Sequence, residues 1–94
     1  MDAEIRHDAD RSTYELVVDG EVAAHAVARD GEGDVTVMPH TVVDPARRGQ
    51  GLGEVLVRGA LDDLRRRGRR VVPTCWFVAE VMDRHDEYAD LRVG

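Results

Sequence analysis

Between positions 48 and 53 the chain reads Arg48-Gly49-Gln50-Gly51-Leu52-Gly53, with a β-rich run before it and an amphipathic run after it. This pattern suits the capture of a phosphate. The first turn of a helix leaves backbone N–H groups without intrahelical partners, and the macrodipole makes that end positive. Glycines let an anion approach those N–H groups closely, and an arginine beside them adds a charge-assisted contact. The spacing R-x-x-G-x-G at a strand-to-helix junction therefore reads as an anion cradle, against the plainer alternative of a tight loop entering a helix. Two other side chains carry chemistry. Cys75, the only cysteine, precedes a second helical run. A thiol at that position suits nucleophilic or acid/base use, and equally a buried, inert role. His40 lies in the strand leading to the turn and can take a proton near neutral pH, although a lone histidine in a strand is commonly structural. The histidines, the cysteine and the acids are too scattered to ligate a metal, so none is expected.

Two other glycine loops are excluded by their spacing. A Walker A loop closes on G-K-[ST], whereas Gly53 is followed by Glu54-Val55. A dinucleotide fingerprint needs G-x-G-x-x-G. Counting from Gly49 places Glu54 at the third glycine, and counting from Gly51 places Leu56 there. That fingerprint also needs an acid ending the next strand, where this chain has Thr74-Cys75.

The elements that must position these groups follow from period. Ile5 and His7 suggest a short first strand, with Asp8-Ala9-Asp10 as a turn. Tyr14-Glu15-Leu16-Val17-Val18 is β-rich, and Asp19-Gly20 is the two-residue type I′ hairpin signal. The return strand is expected over 21–29, with alanines alternating along it. A glycine-rich turn over 30–34 leads to a strand over 35–43, in which Pro39 implies a bulge or an unpaired stretch. From 51 to 67 the period changes: Leu52, Val55, Leu56, Ala60, Leu61 and Leu64 form an i, i+3/i+4 stripe. Glu54/Arg58, Asp62/Arg66 and Asp63/Arg67 are acid-before-base pairs at i, i+4, and Gly68 supplies the stop. Residues 70–74 read as a buried strand parallel to the one before the helix. A second helix is expected over 77–84, with His85 and Tyr88 at its end. The expected fold class is α+β: an antiparallel meander, a right-handed βαβ crossover and a final helix.

The stretch Val43-Asp44-Pro45-Ala46-Arg47-Arg48-Gly49-Gln50-Gly51-Leu52-Gly53 resembles the GNAT superfamily, whose signature is [QR]-x-x-G-x-[GA] after a V-x-P strand end. His40-Thr41-Val42-Val43, Val71-Val72-Pro73-Thr74-Cys75-Trp76-Phe77-Val78 and Arg84-His85-Asp86-Glu87-Tyr88-Ala89-Asp90-Leu91 extend the likeness to small GNAT-like N-acetyltransferase proteins, over about residues 14–91. The resemblance implies a minimal acyl-CoA N-acyltransferase fold, with coenzyme A wedged where two parallel strands splay apart. It further implies that Val43 offers backbone groups to the pantetheine arm. Arg48, Gly49, Gln50, Gly51, Leu52 and Gly53 would surround the pyrophosphate. Acetyl-CoA would then serve as co-substrate for acetyl transfer to a primary amine by direct attack. Cys75 would follow the strand flanking the thioester, and with His40 it is the candidate catalytic pair. Related small proteins often carry Cys-Pro-Phe at this place, where this chain has Cys75-Trp76-Phe77. Trp76 and Phe77 are expected to pack in the core or to wall the substrate channel.

Composition bounds the remaining choices. Ninety-four residues, 43% hydrophobic and 34% charged, are expected to form one globular domain over 1–94. The net charge of −6 is uneven: the segment 45–70 holds eight arginines against three acids, and the remainder is strongly acidic. A basic element within an acidic protein suits a polyphosphate ligand and a cationic amine acceptor, a small molecule or a protein lysine. A pI near 5.1 argues against nucleic acid as partner. The Met1-Asp2-Ala3-Glu4 start lacks a basic, then apolar, leader pattern, and no apolar run approaches ~20 residues, so a cytoplasmic protein without a membrane partner is expected. The competing reading is a non-catalytic acyl-CoA-binding or regulatory module, since the outer elements that shape an acceptor pocket in larger relatives are missing.

Overall fold

The structure, a computed structural model, describes residues 2–94. Four antiparallel strands come first: β1 (Ala3–Asp8), β2 (Thr13–Val18), β3 (Glu21–Asp30) and β4 (Val35–Val43). Helix α1 (Leu52–Arg66), strand β5 (Arg70–Val72) and helix α2 (Trp76–Arg84) follow, and short 3-10 turns occupy Pro45–Arg47 and Asp86–Leu91. The five strands form one sheet in the order β1-β2-β3-β4-β5, with only the β4–β5 pair parallel. The α+β class and the element order match those expected from the sequence.

Local chemistry accounts for the joints. Asp19 and Gly20 both hold positive φ between the paired residues Val18 and Glu21, the geometry of a type I′ turn. Pro39 sits at a bulge as expected: between the pairs Arg29↔Val37 and Val27↔His40, β3 supplies one residue and β4 supplies two. At the far end of α1 the Arg69 N–H reaches the Leu64 carbonyl and the Gly68 N–H reaches the Arg65 carbonyl, with Gly68 at φ +71°. That pairing satisfies two terminal carbonyls and stops the helix where the glycine predicts. Strand β5 is shorter than the expected 70–74 run. Pro73 has no N–H for a ladder, and the chain turns away after Val72.

The core lies between α1 and one face of the sheet. Leu56, Val57, Ala60 and Leu61 are fully buried against Tyr14, Leu16, Val18, Ala26 and Met38. Burying each large side chain contributes about 1.5–3 kcal/mol. Small residues bring the layers close. Alanines 24, 26 and 28 of β3 are buried on the core side, and Ile5 of β1 lies over the bare backbone of Gly59, where a Cβ would meet Ile5 Cγ1 at 2.5 Å.

One polar tie crosses this core. The phenol of Tyr14, a residue with no exposed surface, donates to Asp63 Oδ2 at 2.6 Å. Burial raises the Tyr14 pKa above the tyrosine range, and the Asp63 hydrogen bond raises it further. Desolvation pushes Asp63 upward, but hydrogen bonds from Tyr14 and Arg67 and the charge of Arg67 outweigh it and hold that carboxyl low.

Of the three expected i, i+4 pairs only Asp63–Arg67 forms, at 2.7 Å. Glu54 is taken by Arg84 and His85, and Asp62 accepts the hydroxyl of Tyr88 at 2.9 Å. Local pairs are worth only about 0.2–0.5 kcal/mol, so partners from α2 and the segment behind it displace them. That segment is not a continuation of α2. The helix ends at Arg84 and His85 is extended, so Tyr88 is carried by the 3-10 turn, where it packs 1% exposed. Among the described residues no helix is long and apolar enough to cross a membrane.

Candidate active site

Strands β4 and β5 pair over only three positions, Val35↔Arg70, Thr36↔Val71 and Val37↔Val72. Past them the chains part, and the Cys75 N–H on the Met38 carbonyl at 3.0 Å is the last backbone link. Residues 38–43 of β4 therefore have one edge free of β5. A groove of about 700 Å³ opens there, bordered by His40, Val42, Val43, Cys75, Trp76 and Phe77. It adjoins a second hollow of about 320 Å³ at the head of α1, where Arg48, Gly49, Gly51, Gly53, Glu54 and Arg84 form the wall. Val43, Arg48 and Phe77 border both. The sequence-predicted cradle and the candidate catalytic pair thus lie along one channel.

The head of α1 is built to stay open. Asp44 begins the approach by accepting the Ala46 N–H at 3.0 Å, which fixes the turn Pro45–Arg47. Gly49 and Gly51 then adopt φ of +85° and +74°, the left-handed region where a side chain is strained. Gly51 caps the helix without a side-chain hydrogen bond, and no acceptor among the described residues meets the N–H groups of Leu52, Gly53 and Glu54. Cations stand beside them. Among the described residues ten of the thirteen arginines sit in ion pairs, leaving Arg29, Arg47 and Arg48. Two of those three occupy this turn. Unsealed amides at the positive end of a helix, flanked by unpaired guanidinium groups, are the donor set a diphosphate requires.

The residues of the turn contribute differently. Leu52 is 3% exposed and points into the core, so only its backbone faces the hollow. At Gly53 a Cβ would press on the Phe77 ring at 3.1 Å and on Val43 Cγ2 at 3.4 Å. The third glycine of the motif therefore lets α1, α2 and the end of β4 converge. Gln50 is exposed.

Cys75 is the N-cap of α2 and is buried, with Sγ 3.8 Å from the hydroxyl of Thr41. His40 is exposed. Side chains directly opposite in a ladder share a face. Thr41 pairs with the buried Ala26, and His40 pairs with the half-buried Val27, so the two β4 neighbours point to opposite faces. Cys75 thus approaches the groove from the core side and His40 from the outer side.

Three further features refine the sequence reading. Of the two places expected for Trp76, the core is excluded: it is 74% exposed at the lip of the groove, which it borders, edge-on to Phe77. It occupies the first position of α2, where Val78, Val81 and Met82 take the buried face. The basic segment 45–70 divides: Arg47 and Arg48 form no ion pair among the described residues, whereas at its far end Arg65 meets Asp90, Arg67 meets Asp63, Arg69 meets Asp30 and Arg70 meets Asp34. Glu54, read from spacing only as a partner for Arg58, and Arg84, given no role at the cradle, line the hollow at the head of α1. Arg84 stands one helix away in sequence, and no local pattern announces it. Among the described residues no group of three His, Cys, Asp or Glu side chains could hold a metal ion.

Comparison with known proteins bears on the fold and the family. A GCN5-like protein from Staphylococcus aureus superposes with a TM-score of 0.73 over 97% of this chain and 88% of its own, at 21% identity. The ribosomal-protein-S18-alanine N-acetyltransferase of Escherichia coli is 28% identical over 69% of this chain and 43% of its own, with a TM-score of 0.59. N-acetylglutamate synthase of Neisseria gonorrhoeae, solved with coenzyme A and N-acetyl-glutamate, matches 73% of this chain and 18% of its own, at 24% identity and a TM-score of 0.58. No curated protein matches the sequence. The family model for the GCN5-related N-acetyl-transferases matches residues 13–91, the span that holds the splayed strands, the open helix head and Cys75, and the chain belongs to that family.

Proposed function

We propose that the protein moves an acetyl group from acetyl-CoA to a primary amine of a cationic acceptor. The observation that carries this reading is the pair of hollows, sharing Val43, Arg48 and Phe77, that lie between the unsealed amides of α1 and Cys75 where β4 and β5 part. The amides of Gly51, Leu52 and Gly53, with Arg48, would hold the pyrophosphate, supported by Gly49 and Gln50. The free edge of β4 around Val43 would frame the pantetheine arm. Acetyl-CoA supplies the activated acyl thioester.

The chain's own residues have three tasks: hold the anion, keep water out of the groove and move a proton. Val42, Val43 and Phe77 give the groove an apolar lining. His40, exposed at the outer side, can accept the proton that an acceptor ammonium must lose before it attacks. Cys75, with its S–H toward Thr41, can exchange a proton at the inner side. The E. coli neighbour, by its name, acylates an alanine of a ribosomal protein, and the synthase carries an amino-acid product, so amines of both sizes occur among similar folds.

The test is release of free thiol from acetyl-CoA across a panel of amines, with thermal unfolding followed in parallel. Turnover on at least one amine is expected, falling at least tenfold in Cys75→Ala or His40→Gln. Ligand at a hundred times its Kd should raise stability by about 2.7 kcal/mol. Stabilisation without turnover on any amine would replace the enzyme reading with a non-catalytic acyl-CoA-binding module. No stabilisation would remove both.

A further inference from the structure

The hollow at the head of α1 contains an acid, which an anion site should avoid. Glu54 stands in the first turn of α1 and lines the hollow with Arg48 and the glycines. Its carboxylate repels a phosphate unless a cation shields it. Arg84 comes from the last turn of α2, its Nη2 at 3.2 Å from Glu54 Oε1, and His85 Nε2 lies 3.3 Å from the same oxygen. The arrangement is braced from behind: His85 Nδ1 faces Glu87 at 3.9 Å, and Glu87 meets Arg58 of α1 at 3.2 Å. A guanidinium carries five N–H donors in a planar fork, and Glu54 is met by Nη2 alone. Donors of the fork remain for an anion, and Arg84 lines the same hollow as Arg48.

We infer that Arg84 is a second cation of the diphosphate subsite, presented from α2, and that Glu54 is the residue that positions it. This rests on the cofactor reading proposed above and adds to it a clamp from the helix on the far side of the hollow. Arg48 approaches from the β4–α1 turn and Arg84 from α2, so an anion between them joins the two helices. Glu54 holds the long Arg84 side chain in place before the anion arrives, which lowers the ordering cost of binding.

The experiment is calorimetric titration of the intact chain with coenzyme A and with pantetheine, which lacks the diphosphate. Wild type should bind coenzyme A far more tightly than pantetheine. Arg84→Gln should weaken coenzyme A about tenfold and leave pantetheine unchanged, because only a charge-assisted contact to phosphate is lost. Arg84→Lys, which keeps the charge, should recover part of that loss. Glu54→Gln should weaken coenzyme A several-fold, again with no effect on pantetheine. Equal loss for both ligands in Arg84→Gln would mean general disruption and overturn the inference. Tighter coenzyme A binding in Glu54→Gln would show that Glu54 only repels, and the positioning role would fall. Unchanged coenzyme A binding in Arg84→Gln, alongside a loss in Arg48→Gln, would overturn the clamp and leave the cradle standing. A wild type that does not discriminate coenzyme A from pantetheine would remove the cradle itself.

Discussion

Replacing Tyr14 by Phe tests how the helix that carries the cradle is fastened to the sheet. The substitution keeps the ring in a site with no exposed surface and removes one hydroxyl, which donates to Asp63 Oδ2 at 2.6 Å. A hydrogen bond to a charged group contributes about 1.5–3 kcal/mol. Asp63 keeps Arg66 at 3.3 Å and Arg67 at 2.7 Å, so its carboxylate is not stranded and the lower part of that range applies, about 1.5–2 kcal/mol. For a domain of this size each kcal/mol moves Tm by roughly 4–8 °C, which places the expected drop near 10 °C. Thermal and urea unfolding followed by circular dichroism would measure it, with the urea m-value unchanged. The dependence on pH has a definite sign. The folded Asp63 pKa lies below its ordinary 3.8, so its contribution is present above that value and is lost as pH falls through the folded pKa. The gap between wild type and Tyr14→Phe should therefore be full at pH 7 and narrow below about pH 4. A gap under about 0.5 kcal/mol, or one equally large at pH 7 and pH 3, would refute the tie between β2 and α1.

Both tyrosines, Tyr14 and Tyr88, have pKa values raised from the ordinary 10.0, burial being the leading cause for each. Their phenols stay protonated in the folded state while the unfolded chain ionises from about pH 10, so stability falls as pH rises above that point. Tyrosinate absorbance should consequently appear together with the loss of far-ultraviolet dichroism; absorbance rising near pH 10 in a still-folded protein would contradict the burial argument. Gly59→Val drives a side chain into Ile5, whose Cγ1 would lie 2.5 Å from the new Cβ, and should cost about 1–3 kcal/mol. In a double-mutant cycle by urea unfolding, Ile5→Ala should relieve most of that cost, and simple additivity would show that β1 does not rest on that turn of α1.

The sequence carried the fold through period and turn chemistry. Alternation over 21–29, the Asp19-Gly20 turn and the 3.6-residue stripe over 51–67 are local signals, and the strands and helices lie within a residue or two of the expected positions. The glycine spacing likewise placed the open helix head, because left-handed φ at Gly49 and Gly51 is a backbone demand that shows directly as residue type. What escaped is decided across elements. Glu54 exchanges its helical partner Arg58 for Arg84 and His85, Asp62 exchanges Arg66 for Tyr88, and the arginines ending α1 are neutralised by acids from distant turns. Trp76 was not recognised as exposed: it stands at the first position of α2, outside the Val78, Val81 and Met82 stripe that packs. Gly53, read as room for a phosphate, also makes room for Phe77, a contact that no spacing rule contains.

The claim beneath the functional reading is that the amides opening α1 meet the diphosphate of a coenzyme A ligand. A nitrogen–proton correlation spectrum recorded during titration with coenzyme A reads those amides one by one. Large, saturable shifts are expected for Gly51, Leu52, Gly53 and Glu54, with smaller ones at Val43 and Cys75, and with little change at His7 and Ser12 on the far side of the sheet end. Shifts confined to His7, Ser12 and their neighbours, with the α1 amides still at saturation, would contradict it.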